Sequence, residues 1–306
     1  MAKFSGMKIN PKRYHRSQLK FFLFLIPMSM FIGLPILFIF SHAFKPSNEL
    51  YAFPPRFLVR VPTLQNFIDL VNFAGDGGVP FSRYLFNSVV VAVLGVFLSI
   101  MVTTLAAYGL SKLKFRGRKV MFEINTLALM FVPIAVTIPR YITIARLGLI
   151  DTYWVLVLPL IALPVGLFLV KQFIDQTPNE LIESAKIDGA SEMEVFLKII
   201  FPIIAPAVAT VAILSFQIIW NDPVGPNLYI DDESMKTLPF YFQTLAAQVG
   251  GPGATGGAGG AAAQGNPVAG QGMLAAASMI QFVPNLLLFI FLQSKVINTM
   301  AHSGIK

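Results

Sequence analysis

Long apolar runs separated by short polar segments dominate this chain. Six runs approach the roughly 20 residues that a helix needs to cross a bilayer. They cover residues 21–42, 84–111, 120–138, 152–173, 202–222 and 272–294. The first run exceeds the apolar core of about 7–15 residues that a signal peptide has, so it predicts a retained span. The pattern therefore predicts an all-α integral membrane protein, with residues 1–20 as a basic N-terminal segment and residues 21–306 as one transmembrane domain.

One polar stretch, residues 178–200, interrupts the apolar pattern between the fourth and fifth runs. Residues 180–198 have a net charge of −3, because they contain five acidic and two basic side chains. The pair Asp188–Gly189 predicts a helix end, since glycine accepts the left-handed conformation found there. We therefore expect a charged helical hairpin outside the hydrocarbon. These residues alone leave open whether it is a docking surface for a soluble partner or an ordinary solvated loop.

Both helices of this hairpin have sequence signals for their first turns. Thr177 precedes Pro178 and Glu180, which predicts a hydroxyl cap with proline at the first helical position. Ser191 and Glu194 have the spacing of a second capping box. The apolar residues of the second helix recur at i, i+3, i+4 and i+7, which predicts one buried face: Met193, Phe196, Leu197 and Ile200.

The hairpin resembles the EAA loop of ABC importer permeases, whose pattern is E-A-A-x3-G-x9-I-x-L-P. The residues that align with this pattern are Glu183, Ser184, Ala185, Gly189, Ile199, Ile200, Phe201 and Pro202. Ser184 and Phe201 depart from the pattern by mild changes. Three further segments, residues 106–118, 147–153 and 220–222, resemble the carbohydrate-importing, maltose-type branch of the family. The resemblance covers roughly residues 20–306.

This resemblance implies a type I ABC importer permease fold, with one leading helix and a five-helix core. It implies that the hairpin couples the spans to ATPase subunits, through Glu183, Ser184, Ala185, Asp188, Gly189 and Pro202. The implied partners are a second, related permease, two ATP-binding subunits and an extracytoplasmic solute-binding protein. The implied substrate is a sugar or oligosaccharide. Selectivity between sugars could reside mainly in the partner permease.

Composition agrees with a membrane protein and restricts the chemistry. The chain is 55% hydrophobic and 12% charged, with a mean hydropathy of +0.69. It has no cysteine, its three histidines are far apart in sequence, and no metal-ligand spacing occurs, so we expect no metal site. No Walker A sequence occurs, so we expect no cofactor on this chain, no enzymatic activity of its own, and ATP with Mg²⁺ only on partner subunits.

Basic residues predict the orientation of the spans. Residues 1–20, 112–119, 171–198 and 295–306 hold 16 of the 23 lysines and arginines, and the segments on the other side hold seven. The positive-inside rule therefore places both termini and the hairpin in the cytoplasm of a bacterial or archaeal plasma membrane. Although the chain has a formal net charge of +8, its bases flank apolar spans, so we expect no nucleic-acid binding.

The predicted spans contain few charges but several neutral amides and hydroxyls. A neutral sugar path would use such groups, and so would helix–helix packing, which is the more frequent role for any single residue. The best candidates for a path share faces of the fifth and sixth spans: Gln217, Asn221, Ser278, Gln281 and Asn285. The scarcity of ionisable groups near the membrane centre disfavours a proton-coupled carrier, although an ATP-independent carrier and an importer of another solute class remain alternatives.

A Gly/Ala-rich segment, residues 250–272, precedes the last span. We expect an extracytoplasmic, mobile insert, because few of its side chains can pack. Its sequence from Gly251 to Gly256 matches G-x-G-x-x-G, but no strand precedes it and no helix start follows in a βαβ unit, so a dinucleotide site is not predicted. The function of the insert is left open.

Overall fold

A computed structural model describes residues 19–50, 52–54, 56–76, 78–250 and 269–303. Helices account for most of these residues, and no strand occurs among them. The α-helices, numbered in chain order, are α1 Leu19–Ala43, α2 Ser47–Leu50, α3 Gln65–Asp76, α4 Phe81–Lys112, α5 Arg118–Ala128, α6 Thr137–Arg146, α7 Tyr153–Ile161, α8 Pro164–Asp175, α9 Asn179–Ile187, α10 Glu192–Val195, α11 Phe201–Ile203, α12 Ala205–Trp220, α13 Val224–Tyr229, α14 Leu238–Gly250 and α15 Ala269–Ser303. The predicted all-α membrane architecture is confirmed.

Three of the candidate spans are single helices, and three are bent pairs. Helices α1, α4 and α15 are each long and apolar enough to cross a membrane. The pairs α5 with α6, α7 with α8, and Glu192–Ile203 with α12 bend by 111°, 45° and 81°. Counting each pair as one span gives six spans within the described residues.

The predicted run 120–138 is therefore not one straight helix. Helix α5 ends at Ala128, and a 3₁₀ turn at Pro133–Val136 separates it from α6, which extends into the region that the sequence predicted as an outer connection. Pro133 and Pro139 lack the backbone N–H that a continuous helix requires at each position. Pro164 likewise begins α8, and Pro206 lies in the first turn of α12.

The described chain divides into two compact units. One comprises the described residues up to Leu70 together with 269–279, and the other comprises residues 71–250 together with 280–303. Most of the predicted N-terminal segment lies outside the described residues. Residues 251–268 of the predicted insert also lie outside them. Residues 269–272 form the first turn of α15.

Polar bonds organise the first unit beyond the end of α1. The Asn66 amide donates to the carbonyl oxygen of Lys45 at 2.8 Å. The Glu49 carboxylate accepts from the N–H groups of Arg60 and Val61 at 3.0 and 2.9 Å. Both bonds favour the ionised form, the Arg60 bond most strongly, so the pKa of Glu49 lies below its usual range. These bonds tie the residues that follow α1 to Arg60, Val61 and the start of α3.

Helix α4 forms the centre of the second unit, packing against α7, α8 and α12. Two apolar clusters lie along it. One cluster includes Val91, Val155 and Ile219, and the other includes Ala107, Val170 and Ile200. The second cluster also receives the hairpin, so the core and the candidate coupling element share one set of buried side chains.

Candidate functional site

A left-handed glycine forms the turn of the hairpin, as the sequence predicts. Gly189 has φ +85°, and no atom would lie within 4 Å of an added Cβ, so backbone conformation alone requires glycine here. Its N–H donates to the Lys186 carbonyl at 3.1 Å, while the Ala190 N–H donates to the Ala185 carbonyl at 3.0 Å. This pair of bonds is the Schellman motif, which satisfies the last carbonyls of α9.

Only one of the two predicted caps forms. Ser191 accepts a bond from the Glu194 N–H at 3.3 Å, and the Glu194 carboxylate accepts from the Ser191 N–H at 3.0 Å, which confirms the capping box. The prediction that Thr177 caps α9 is wrong. Pro178 precedes that helix with extended backbone, and no side chain caps it. The Thr177 hydroxyl donates instead to the Phe173 carbonyl of α8 at 3.5 Å.

The face by which the second half of the hairpin packs differs from the predicted one. Met193 and Leu197 are 55% and 54% exposed, whereas Val195, Phe196 and Ile200 are buried. Residues Phe196–Ile200 form a π-helical turn. Because a π-helix bonds i to i+5, it shifts the register of buried positions away from the α-helical pattern on which the prediction depended.

Two side chains of α4 fix the hairpin to it by polar contacts. The Tyr108 hydroxyl donates to the Glu192 carboxylate at 2.8 Å, and Glu192 also pairs with Lys186 across the turn. Lys112, at the end of α4, donates to the side-chain oxygen of Asn179 at 2.9 Å and to the main-chain carbonyl of Thr177, just before the hairpin, at 2.7 Å. The sequence placed Tyr108 only within a family-like segment, because a contact over 84 positions leaves no local signal.

The predicted coupling residues occupy different environments on this hairpin. Glu183, Ser184 and Asp188 are exposed, Ala185 packs partly against the core cluster, and Pro202 lies exposed in α11. Among the described residues, the Glu183 carboxylate has no hydrogen-bond or ion-pair partner. It lines a cleft of about 870 Å³ together with Lys112 and Arg118.

Apolar side chains surround these exposed acids. Ile187 at the turn is 87% exposed, and Leu181 is 46% exposed. Met193 and Leu197 extend the same apolar exposure on the second half of the hairpin. The hairpin is thus held firmly on one side by the core and presents an acidic, apolar surface on the other.

The structure brings four of the five predicted path residues together. The Asn221 side-chain oxygen accepts from the Gln281 amide at 3.1 Å and from the Asn285 amide at 3.4 Å. The Asn221 amide donates to the main-chain carbonyl of Gln217 at 2.8 Å. Ser278 is not in this amide cluster, because its hydroxyl donates to the Leu274 carbonyl of its own helix at 2.8 Å.

Two cavities adjoin the amide cluster. Gln217 lines both of them, one of about 520 Å³ and one of about 290 Å³. The smaller also includes Asn285 among phenylalanines, and the side-chain oxygen of Asn285 is buried without a partner among the described residues. An unpaired buried acceptor is costly, so this site suits a hydrogen-bond donor from water or a solute.

The larger cavity contains charged and aromatic groups that the sequence did not single out. Arg140 from α6, Asp222 after α12 and Tyr229 from α13 line it beside Gln217 and Asn221. The only local signal that could have pointed to Arg140 is its position, a charge directly after Pro139 at the edge of an apolar run. The sequence predicted that segment as a connection, which concealed its place in a cavity wall.

Residues 19–239 match the family described as "Binding-protein-dependent transport system inner membrane component". The arabinooligosaccharides transport system permease protein AraQ of Halalkalibacterium halodurans is 30% identical over 278 residues, covering 89% of this chain and 90% of that protein. The galactooligosaccharides transport system permease protein GanQ of Bacillus subtilis is 29% identical over 304 residues, covering 99% of both.

One solved structure has the same fold. It is described as a bacterial ABC transporter involved in the import of the acidic polysaccharide alginate. The match has a TM-score of 0.75 and 20% sequence identity, and it covers 93% of this chain and 99% of that chain.

Proposed function

The chain belongs to the family of binding-protein-dependent transport system inner membrane components, and on that basis we propose that it is the membrane-spanning permease subunit of an ATP-driven sugar or oligosaccharide importer. Its relatives include permeases named for arabinooligosaccharides and galactooligosaccharides. The complete importer would add a second permease, two ATP-binding subunits that hold ATP and Mg²⁺, and an extracytoplasmic solute-binding protein.

The hairpin is the element that would couple ATP hydrolysis to transport. The observation that supports this most directly is its two-sidedness: buried Ile182, Val195 and Phe196 anchor it, while Glu183 and Ile187 face outward. A partner with a basic, apolar-lined cleft would complement that outer surface. Closure of the ATPase dimer would then move the hairpin and the helices anchored to it, with both termini in the cytoplasm.

The amide cluster would line the path of the solute. Neutral amides offer donors and acceptors that match hydroxyl groups, and Gln217 borders both neighbouring cavities. The amides of Gln281 and Asn285 both donate to the side-chain oxygen of Asn221. A passing sugar would exchange these bonds for bonds to its own hydroxyls as the spans alternate between the two sides.

The test of the proposal is to purify the complex and change the charge at the outer surface of the hairpin. We expect Glu183→Lys to abolish uptake in proteoliposomes containing the binding protein, with ATP hydrolysis either lost or no longer stimulated by solute. Glu180→Lys, on the same helix but outside the cleft, is the matched control and should retain most uptake. Wild-type uptake and normal ATPase association in Glu183→Lys would contradict the coupling role, and uptake without ATP would contradict the whole proposal.

A further inference from the structure

Arg140 lines the larger cavity, and the proposed function gives its guanidinium group no role. Arg140 is partly buried and borders the cavity of about 520 Å³. It has no hydrogen bond or ion pair with any residue that the structure describes. A partly buried guanidinium without a partner forgoes hydrogen bonds that a molecule in the cavity could accept, so Arg140 is a candidate binding group.

Asp222, the carboxylate that lines the same cavity as Arg140, already has other hydrogen-bond partners. Asp222 accepts from the N–H groups of Val224 and Gly225 at 2.9 and 3.2 Å, and it thereby holds the first turn of α13. The charge of Arg140 acts on Asp222 and on Tyr229 only at a distance. The five guanidinium donors of Arg140 therefore remain available to a molecule in the cavity.

The groups beside Arg140 suit a sugar. Thr137, Gln217 and Asn221 line the same cavity, and they offer hydroxyl and amide groups to neutral oxygens. The guanidinium is different, because its planar pair of N–H donors matches the two oxygens of a carboxylate. The cavity thus combines contacts for hydroxyl groups with one contact for a negative charge.

We propose that Arg140 is a specificity-determining contact for a carboxylate, and that the imported solutes include uronate-containing oligosaccharides. This inference rests on the function proposed above. Arg140 would pair with one sugar carboxylate, while Gln217 and Asn221 bond to hydroxyl groups of the same molecule. Neutral oligosaccharides would enter the cavity without that pairing.

Uptake of trigalacturonate and of its fully methyl-esterified form tests this directly, because the ester removes the charge and keeps the sugar. Both would be measured in proteoliposomes containing the whole complex and the same binding protein. For Arg140→Gln we expect trigalacturonate uptake to fall about tenfold or more relative to uptake of the ester, since a charged hydrogen bond is lost. Arg140→Lys should keep part of the preference, and Arg146→Gln, at the exposed end of the same helix, should keep all of it.

The outcomes separate the two proposals. Equal effects of Arg140→Gln on the acid and the ester, or no effect on either, would overturn the role of Arg140. So would wild-type uptake of the ester without the acid, although the importer function would stand. If neither Arg140→Gln nor Arg140→Lys assembles, Arg140 has a structural role and the inference is wrong. Absence of any ATP-dependent oligosaccharide uptake by the wild type would overturn the proposed function itself and this inference with it.

Discussion

At the scale of single residues, backbone conformation decides the function of Gly189. At φ +85° a side chain with a branched Cβ should destabilise the turn by about 1–2 kcal/mol. We expect Gly189→Val to lower solute-stimulated ATP hydrolysis strongly, because α9 and α10 would lose their alignment. Ser184→Ala, which restores the residue of the family pattern at an exposed site, should be near-silent. Similar near-silent behaviour of both variants would show that the turn geometry is unimportant for coupling.

The amide cluster gives a second prediction at this scale. Gln281→Leu removes the 3.1 Å bond to Asn221, whose net value is about 0.5–1.5 kcal/mol. We expect solute uptake to fall while assembly and basal ATP hydrolysis persist. Ser278→Ala is the control, because the Ser278 hydroxyl bonds only within its own helix among the described contacts. A lower melting temperature of Gln281→Leu with unchanged uptake would assign the cluster to helix packing instead.

At the scale of elements, α4 connects the two ends of the second unit through tyrosine hydroxyls. Tyr108 donates to Glu192 of the hairpin at 2.8 Å, and the Tyr153 hydroxyl donates to Asn87 of α4 at 3.0 Å. Tyr108→Phe should loosen the hairpin by about 1 kcal/mol, since it removes one hydrogen bond and keeps the ring. Hydrogen exchange of residues 179–195 should therefore speed up about fivefold.

Tyr153→Phe is the matched change, because it keeps the ring and removes the bonds of the Tyr153 hydroxyl to Asn87 and Arg83, both at the other end of α4. It should leave exchange in the hairpin unaltered. If both variants speed exchange in the hairpin equally, the Tyr108 contact is not a local clamp. Unchanged exchange in Tyr108→Phe would mean that the apolar anchors alone hold the hairpin.

At the scale of the whole molecule, the described residues expose apolar surface that lipid or a partner subunit would cover. Phe31 on α1 and Met130 and Ile134 between α5 and α6 are 75%, 78% and 78% exposed. Lipid and a second permease are the natural partners for such surface. Native mass spectrometry of the complex, purified through a tag on this chain, should find one copy of it with one other permease and two ATP-binding subunits. A self-sufficient homo-oligomer would contradict the importer assembly.

Sequence reasoning succeeded where a local cause decides the structure. Hydropathy identified the helical spans, and Gly189 and the Ser191–Glu194 pair identified the turn and its cap. The bends escaped it, because a proline in an apolar run is compatible with a mild kink or with a 111° break, and only packing decides which forms. The pairing of Asn221 with Gln281 and the position of Arg140 escaped it too, since both depend on contacts between helices far apart in sequence.

The anchorage of the hairpin also sets its mechanical strength. Ile182, Val195, Phe196 and Ile200 bury their side chains in the core, and at about 1.5–3 kcal/mol each they hold the hairpin with about 6–12 kcal/mol. A load that requires more work than this would detach the hairpin from the core before it moved the spans. In the proposed coupling role, this anchorage would limit the work that the hairpin can transmit to the spans. Trimming Phe196 or Ile200 to alanine would lower that limit without changing the exposed surface of the hairpin.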